Sequence, residues 1–137
     1  MEQRDYLMRH VEQLGVVLGK ILSKLLGLKD NGIEVVDTVN QCFKEELGLD
    51  ISQLNDIDDD KWLDTLKTEK RFDSESLERL ADILLFVAEA ENVDFKERNR
   101  LYKKCSLIYV YLDESEKTYS FDRYLKIQRL REHIDKP

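Results

Sequence analysis

The sequence predicts an all-α fold of about five to six helices, joined as antiparallel hairpins in an array or bundle. Apolar residues recur at steps of three and four along most of the chain, which is the period of amphipathic helices. The single proline is Pro137, the last residue, and no segment of strand length alternates polar with apolar residues. A chain of 137 residues can bury a sizeable core, so we expect one domain over residues 1–137.

The first helix should cover Leu7 to Leu28 and lie at the centre of the fold. Its apolar residues form an unbroken heptad seam: Leu7, Val11, Leu14, Leu18, Ile21, Leu25 and Leu28. Gly15 and Gly19 lie four residues apart beside this seam and would let another helix approach closely. That helix belongs either to this chain or to a second copy, which would make a homodimer through Gly15 and Gly19.

Charged residues limit how the first helix can use a membrane. Lys20 and Lys24 interrupt its apolar run well before the roughly 20 residues that a transmembrane helix needs. The pattern therefore predicts neither a transmembrane segment nor a signal peptide. Arg9, Lys20 and Lys24 leave one membrane alternative, in which the helix lies on the bilayer surface.

The following elements are predicted from turn and capping signals. A second helix should run from about Ile33 to Leu47, with Gly48 just past its end. A short helical turn is expected within residues 49–60, and a further helix from about Asp59 to Lys70. The second, fourth and fifth helices offer apolar faces that can cover the first.

The last three helices begin at recognisable caps. Asp73 is a good N-cap for the fourth helix, Asp94 with Glu97 forms a capping-box pattern for the fifth, and Ser120 caps the sixth. The run of apolar residues in the fourth helix predicts that it is central too. In the sixth helix the residues expected to face inward are Phe121, Tyr124, Leu125, Ile127, Leu130 and Ile134.

Charge is distributed unevenly along the chain, whose formal net charge is −7. Residues 30–97 carry twenty acidic and seven basic side chains, whereas residues 98–137 carry ten basic and six acidic ones. Nucleic acid is a disfavoured partner, because phosphate contacts need clustered Lys and Arg. Cys42 and Cys105 both fall in apolar helical patterns, which favours buried reduced thiols and a cytoplasmic protein, although a disulfide stays open.

Two acidic patterns invite a metal-site interpretation. Glu75, Glu78 and Asp82 share one helical face, a spacing with which helical phosphohydrolases hold Mg²⁺. We favour a solvated helix face, and a metal site would need a facing carboxylate pair such as Glu45 and Glu46. Asp56, Asp58 and Asp60 match the first positions of an EF-hand, but Lys61 and Lys67 stand where the glycine and the last glutamate belong. Capping of the next helix explains these aspartates better.

No other pattern indicates catalysis or a cofactor. His10 and His133 are isolated and have no metal-ligand spacing, and no phosphate-binding loop or nucleophile elbow occurs. Tyrosines and basic residues concentrate in the last two helices, and most of them should be structural. The alternative is a partner-binding groove, for which the candidate residues are Tyr102, Tyr109, Arg123 and Tyr124.

Two resemblances extend this interpretation. The last three helices are similar to tetratricopeptide hairpins, with Leu77, Ala81 and Leu84 in a first helix, but the expected glycine and closing proline are missing. Residues 4–9 (RDYLMR), 111–113 (YLD), 119–123 (YSFDR) and 126–127 (KI) resemble an uncharacterised bacterial family of small all-helical proteins. This resemblance implies a bacterial, cytoplasmic protein with a tetratricopeptide-like right-handed array, and it supplies no catalytic or binding residue.

These observations favour a non-enzymatic helical module for protein–protein interaction, without a cofactor and with an unidentified protein or peptide partner. A Mg²⁺-dependent phosphohydrolase using Glu75, Glu78 and Asp82 is the alternative from the enzyme class. Association of the first helix with a membrane surface is the third hypothesis.

Overall fold

A computed structural model describes the backbone of residues 2–27, 32–90 and 93–134, and the side chains of 13–27, 36–90 and 93–134. Seven α-helices occur in the described ranges, and two of them continue directly into a π-helical turn, which confirms the all-α prediction. The helices are α1 (Glu2–Gly27), α2 (Gly32–Cys42, then the π turn Phe43–Leu47), α3 (Ile51–Asn55), α4 (Asp59–Asp64, then the π turn Thr65–Glu69), α5 (Ser74–Ala88), α6 (Phe95–Ser115) and α7 (Phe121–Ile134). The predicted turn within residues 49–60 is α3, which accounts for the helix beyond the expected six.

The heptad seam of α1 is buried wherever its side chains are described. Leu14, Leu18, Ile21 and Leu25 all lie in the core, whereas Leu7, Val11 and Leu28 fall outside the described side chains. The cover comes from α5 and from α2, which both pack against α1. The buried residues of all seven helices form one connected hydrophobic cluster.

The centre of the fold is α5 rather than α1. This helix packs against α1, α2 and α6, and α6 in turn packs against α3, α4 and α7. Apolar residues surround α5 on several sides, since Leu77, Leu80, Ile83, Leu84 and Val87 are all buried. A helix can occupy the middle of a bundle only when its apolar surface is this wide.

Packing of α1 on α5 bears on the predicted tetratricopeptide-like arrangement. In such an array each helical hairpin contacts mainly its neighbours in sequence. Here α1 reaches across three intervening elements to contact α5, and that long-range contact holds the two halves of the chain together. The tetratricopeptide-like order therefore stays a prediction.

Two helices end in the same local structure. A residue shortly after each π turn adopts a left-handed conformation: Gly48 (φ 63°) directly follows the first turn, and Arg71 (φ 61°) is the second residue after the other. The chain then folds back, with Leu49 N–H donating to the Phe43 carbonyl and Phe72 N–H donating to the Leu66 carbonyl. Each bond joins residues six positions apart, one position more than the bond that defines a Schellman motif, so these are wider, Schellman-like helix ends. The prediction that Gly48 ends the second helix is confirmed.

Candidate functional site

The residues singled out as candidates lie where α5, α6 and α7 meet. Basic side chains of α7 reach carboxylates of α5: Arg123 Nη2 lies 2.6 Å from Glu78 Oε2, and Lys126 Nζ lies 2.8 Å from Asp82 Oδ1. Arg129 and Glu89 form a third, more exposed pair at 2.7 Å. Three ion pairs therefore connect the two helices.

Arg123 is the most buried cation of this interface, with 3% of its surface exposed. Its Nη2 also lies 3.0 Å from Oε2 of Glu116, so two carboxylates share one guanidinium nitrogen. Burial disfavours the charged form, but the hydrogen bonds to Glu78 and Glu116 outweigh it and raise the pKa of Arg123. Its Nε and Nη1 are buried and have no hydrogen-bond partner among the described residues.

Tyr109 and Lys126 bind the same carboxylate oxygen, Oδ1 of Asp82. The Tyr109 hydroxyl donates to Asp82 Oδ1, and Lys126 Nζ also contacts Asp122 at 2.9 Å. Burial, followed by the charge of Asp82, raises the pKa of Tyr109 far above its ordinary value. The phenol therefore stays protonated and acts as a hydrogen-bond donor.

The three carboxylates proposed for Mg²⁺ each have a different partner in the structure. Glu75 pairs with Arg79 one turn away at 2.7 Å, Glu78 pairs with Arg123, and Asp82 binds Tyr109 and Lys126. No set of three His, Cys, Asp or Glu residues within the described side chains is arranged to hold a metal ion. Of the three, Glu78 and Asp82 bind side chains of α7, while Glu75 pairs within α5.

The four residues of the predicted groove do not form a common surface. Tyr109 is fully buried, Tyr102 is buried against the His133 ring, which stacks on it at a centroid distance of 5.0 Å, and Arg123 lies inside the α5–α7 interface. Only Tyr124 is exposed. The expectation that most of these tyrosines are structural therefore agrees with their burial.

The inward face predicted for α7 is wrong. Of its six apolar residues only Ile127 and Leu130 are buried, while Phe121, Tyr124, Leu125 and Ile134 are exposed. In the observed orientation Arg123 and Lys126 bind the α5 carboxylates. Hydrophobic periodicity could not predict this choice, because the matching charges lie about 45 residues away in sequence.

Rotation of α7 leaves an aromatic strip on the surface, which we define as Tyr119, Phe121, Tyr124 and Leu125. These side chains are 67%, 62%, 42% and 50% exposed. The Tyr124 ring lies 6.2 Å from the Tyr119 ring and 6.4 Å from the Phe121 ring, so the three form a continuous cluster. The sequence signal for the strip is the i, i+3, i+4 spacing of its last three residues, which hydrophobic periodicity alone places in the core.

A second unfilled surface, the α1 groove, has a volume of about 780 Å³. One wall is α1, and the other consists of the ends of the two π turns together with the residues that follow them. Its apolar lining residues are Leu14, Val16, Val17, Leu47, Leu49 and Phe72, and its charged ones are Lys20, Glu46, Glu69 and Lys70. Glu46, a candidate for the carboxylate pair that would face a Mg²⁺ site on α5, lines this groove instead.

The aspartate-rich loop binds a cation of the protein itself. The buried Lys104 ammonium donates to the Ile57 carbonyl and to Asp59 Oδ1, the latter at 2.9 Å. Lys103 contacts the other oxygen of Asp59 at 3.2 Å. Asp59 and Asp60 begin α4, as the capping interpretation predicted, although the N-cap Asp58 makes no side-chain hydrogen bond.

Several smaller predictions are settled by local contacts. Cys42 and Cys105 are buried and unpaired, and burial raises the pKa of the Cys105 thiol well above its ordinary value. The capping box at α6 is wrong, because Glu97 accepts a hydrogen bond from Asn55 at 2.7 Å and Asp94 makes no side-chain cap. The side chain of His10 lies outside the described residues.

Gly15 and Gly19 face a helix of this chain. Both lie beside the Arg79 side chain of α5, which donates a hydrogen bond to the Gly15 carbonyl. A methyl group at Gly19 would meet Arg79 at an ordinary contact distance of 3.6 Å. The homodimer predicted through these glycines would have to use a face that already packs on α5.

None of the helices in the described ranges combines the length and apolar character needed to cross a bilayer. The chain matches no protein-family model, and comparisons with curated proteins and with solved structures give no significant match. The resemblance to a bacterial all-helical family therefore stays a hypothesis based on its short stretches of sequence.

Proposed function

We propose that this protein is a non-enzymatic helical interaction module and that it binds a protein partner through the aromatic strip. The observation that carries the proposal is the orientation of α7, in which Phe121, Tyr124 and Leu125 face solvent while Arg123 and Lys126 bind carboxylates of α5. Aromatic side chains are enriched among the residues that dominate binding energy at interfaces. A contiguous exposed cluster of them is a recognised sign of an interaction site.

The use of the titratable groups supports a module over an enzyme. Catalytic groups need a pKa near the working pH and access to a substrate. Tyr109 and Cys105 are instead buried and held in their neutral forms, while Glu78 and Asp82 are paired with cations of α7. Each of these groups already has a structural partner, and that partner explains its position.

We further propose that the module works in the cytoplasm. Two buried thiols that stay unpaired are typical of proteins from reducing compartments. A tetratricopeptide-like relationship and a bacterial source are the corresponding proposals from the sequence resemblance. A significant match of a newly determined bacterial structure to all seven helices would test them together.

Site-specific photo-crosslinking tests the proposed function. A photoreactive phenylalanine derivative replaces Tyr124 in the strip or, as the matched control, Gln53, which is exposed on α3 outside both surfaces. We expect irradiation in cells to give a discrete covalent adduct with a protein from position 124 and none from position 53. Equal adducts from both positions, or none from either, would show that the strip is ordinary surface.

A further inference from the structure

The attachment of α7 to the bundle depends little on apolar burial. Its buried residues are Arg123, Ile127 and Leu130, so two apolar side chains anchor a helix of 14 residues. The helix α5 has 15 residues and buries nine of them. Because burial of apolar surface is the main favourable term in packing, that term contributes much less to the attachment of α7 than to that of α5.

Ion pairs connect α7 to α5. Arg123, Lys126 and Arg129 are spaced three residues apart, and each pairs with a different carboxylate of α5. The pairs follow the same order along both helices, so these three cations lie along one row of α5 carboxylates. At least one side chain of every pair is more than 20% exposed, which allows dissolved salt to screen the attraction.

The other helices do not depend on α7 for their packing on one another. The helices α5 and α6 pack directly together, α5 also packs on α1 and α2, and α6 also packs on α3 and α4. The helix α7 packs closely on α6 and is joined to it by residues 116–120, which are not helical. Displacement of α7 about this segment would therefore leave the contacts among α1 to α6 in place.

Displacement would uncover a surface of α6 and α5 that α7 covers. The His133 ring stacks on Tyr102, and Lys126 Nζ lies 5.6 Å from the centre of the Tyr109 ring. Both tyrosines belong to α6 and are buried. Beside them Asp82 of α5 binds both Tyr109 and Lys126. Two of the four residues that the sequence assigns to a partner-binding groove are therefore buried beneath α7.

Movement of the whole helix avoids the largest penalty for breaking a buried ion pair. That penalty arises when one partner is removed and the charge of the other stays buried. When α7 moves away, its cations and the carboxylates of α5 all return to water. Segments with few buried apolar contacts also open at a lower free energy than the core of the same protein.

We propose that α7 is a latch helix, which is held closed by ion pairs and opens from the bundle as one unit while α1 to α6 stay folded. Opening exposes Tyr102, Tyr109 and the α5 carboxylates, and it moves the aromatic strip away from the bundle. Because salt weakens the ion pairs, rising ionic strength favours the open state. This movement goes beyond the proposed function, since it does not require a partner for the strip.

Hydrogen exchange of the whole chain, followed by mass spectrometry, measures the opening of each helix separately. Lys126→Gln removes the cation that contacts Asp82 and Asp122. Its matched control is Arg131→Gln, which removes one positive charge from an exposed position of α7 that forms no ion pair with a described side chain. A third variant, Ile21→Val, weakens the buried core at α1, which packs on α2 and α5.

In the wild type we expect the amides of residues 125–130 to share one protection factor, at least about tenfold below that of the slowest amides of α5. Lys126→Gln should lower this shared value by about tenfold, and Arg131→Gln by less than about twofold. Ile21→Val should lower the slowest α5 amides by about threefold or more and leave α7 unchanged, because its contacts persist when α7 opens. Raising sodium chloride from about 50 mM to about 0.5 M should lower the protection of α7 by about threefold.

Three results would overturn the proposal. If Ile21→Val lowers the protection of α7 and of α5 by the same factor, α7 opens only when the whole bundle unfolds. If protection declines gradually towards Ile134, the helix frays from one end and does not move as a unit. If Lys126→Gln has no larger effect than Arg131→Gln, or if salt leaves α7 unchanged, the ion pairs do not hold it closed.

Discussion

Replacing Arg123 with methionine should lower the free energy of unfolding by about 2–3 kcal/mol. Removal of one partner from a buried ion pair costs about 3–5 kcal/mol, because the remaining charge is left without compensation. Here the remaining carboxylates of Glu78 and Glu116 are 25% and 36% exposed, so water recovers part of that cost. Methionine preserves most of the packing of the arginine stem, which isolates the loss of charge.

Urea unfolding followed by tryptophan fluorescence measures this loss. Trp62 is the only tryptophan, it is fully buried, and its indole N–H donates to the Lys104 carbonyl at 3.1 Å. Its emission therefore reports unfolding of the bundle, and far-ultraviolet circular dichroism supplies a second probe. The double variant Arg123→Met with Glu78→Gln should be more stable than the sum of the two single effects predicts, by about 1–2 kcal/mol.

The control is Arg131→Met, which removes the same type of side chain from the exposed surface of α7. It should change stability by no more than about 0.5 kcal/mol. If Arg123→Met proves as stable as the wild type, the ion pairs do not set the orientation of α7. Burial of Ile127 and Leu130 alone would then have to explain the orientation of α7. The ion pairs would no longer account for the exposure of the other apolar residues of this helix.

Three further predictions concern other parts of the fold. Although burial opposes it, hydrogen bonding to Lys104 lowers the pKa of Asp59 below its ordinary 3.8. A carboxyl group whose pKa is lowered by folding stabilises the fold at pH values above its unfolded pKa. In urea titrations the free energy of unfolding of the wild type should therefore exceed that of Asp59→Asn by a constant amount above about pH 5, and this difference should shrink as the pH falls below about 4. A difference that does not depend on pH would contradict this prediction. Both Gly48 and Arg71 have left-handed backbones, which glycine adopts more readily than other residues. Arg71→Gly should therefore raise the free energy of unfolding by about 0.5–1 kcal/mol, and Gly48→Ala should lower it by about 1 kcal/mol. Thermal melts that show the opposite signs would refute this account. Gly19→Ala should raise stability by about 0.5–1 kcal/mol through helix propensity, and destabilisation would mean that Arg79 cannot accommodate the methyl group.

Local signals were sufficient to predict most helices. The seam of α1, the N-cap at Asp73 and the end of the second helix at Gly48 all depend on residues within one or two turns of each other. Such features depend on the local conformational preference of each segment, and each of these segments has its locally preferred conformation in the folded bundle. Arg71 is the exception among the helix ends, because a left-handed arginine gives no sequence signal.

Non-local choices could not be predicted in the same way. The capping box at α6 failed because Asn55, 42 residues away, takes the Glu97 carboxylate. The prediction of the inward face of α7 failed because periodicity places all six apolar residues inward, whereas Arg123 and Lys126 bind carboxylates of α5 and only Ile127 and Leu130 are buried. In both cases a polar partner from a distant helix outweighed the local pattern.

The orientation of α7 also limits the affinity with which its exposed side chains can bind a partner. Burying a large apolar side chain completely is worth about 1.5–3 kcal/mol, so three anchors that are already half buried contribute on the order of 3–4 kcal/mol. The surface of a partner adds a similar amount, while association costs about 4–15 kcal/mol in lost motion and ordering. The surplus is then at most about 4 kcal/mol, so we expect a dissociation constant of about 1 mM or weaker from these side chains alone. Such a contact forms and breaks readily, which suits a module that binds its partner transiently.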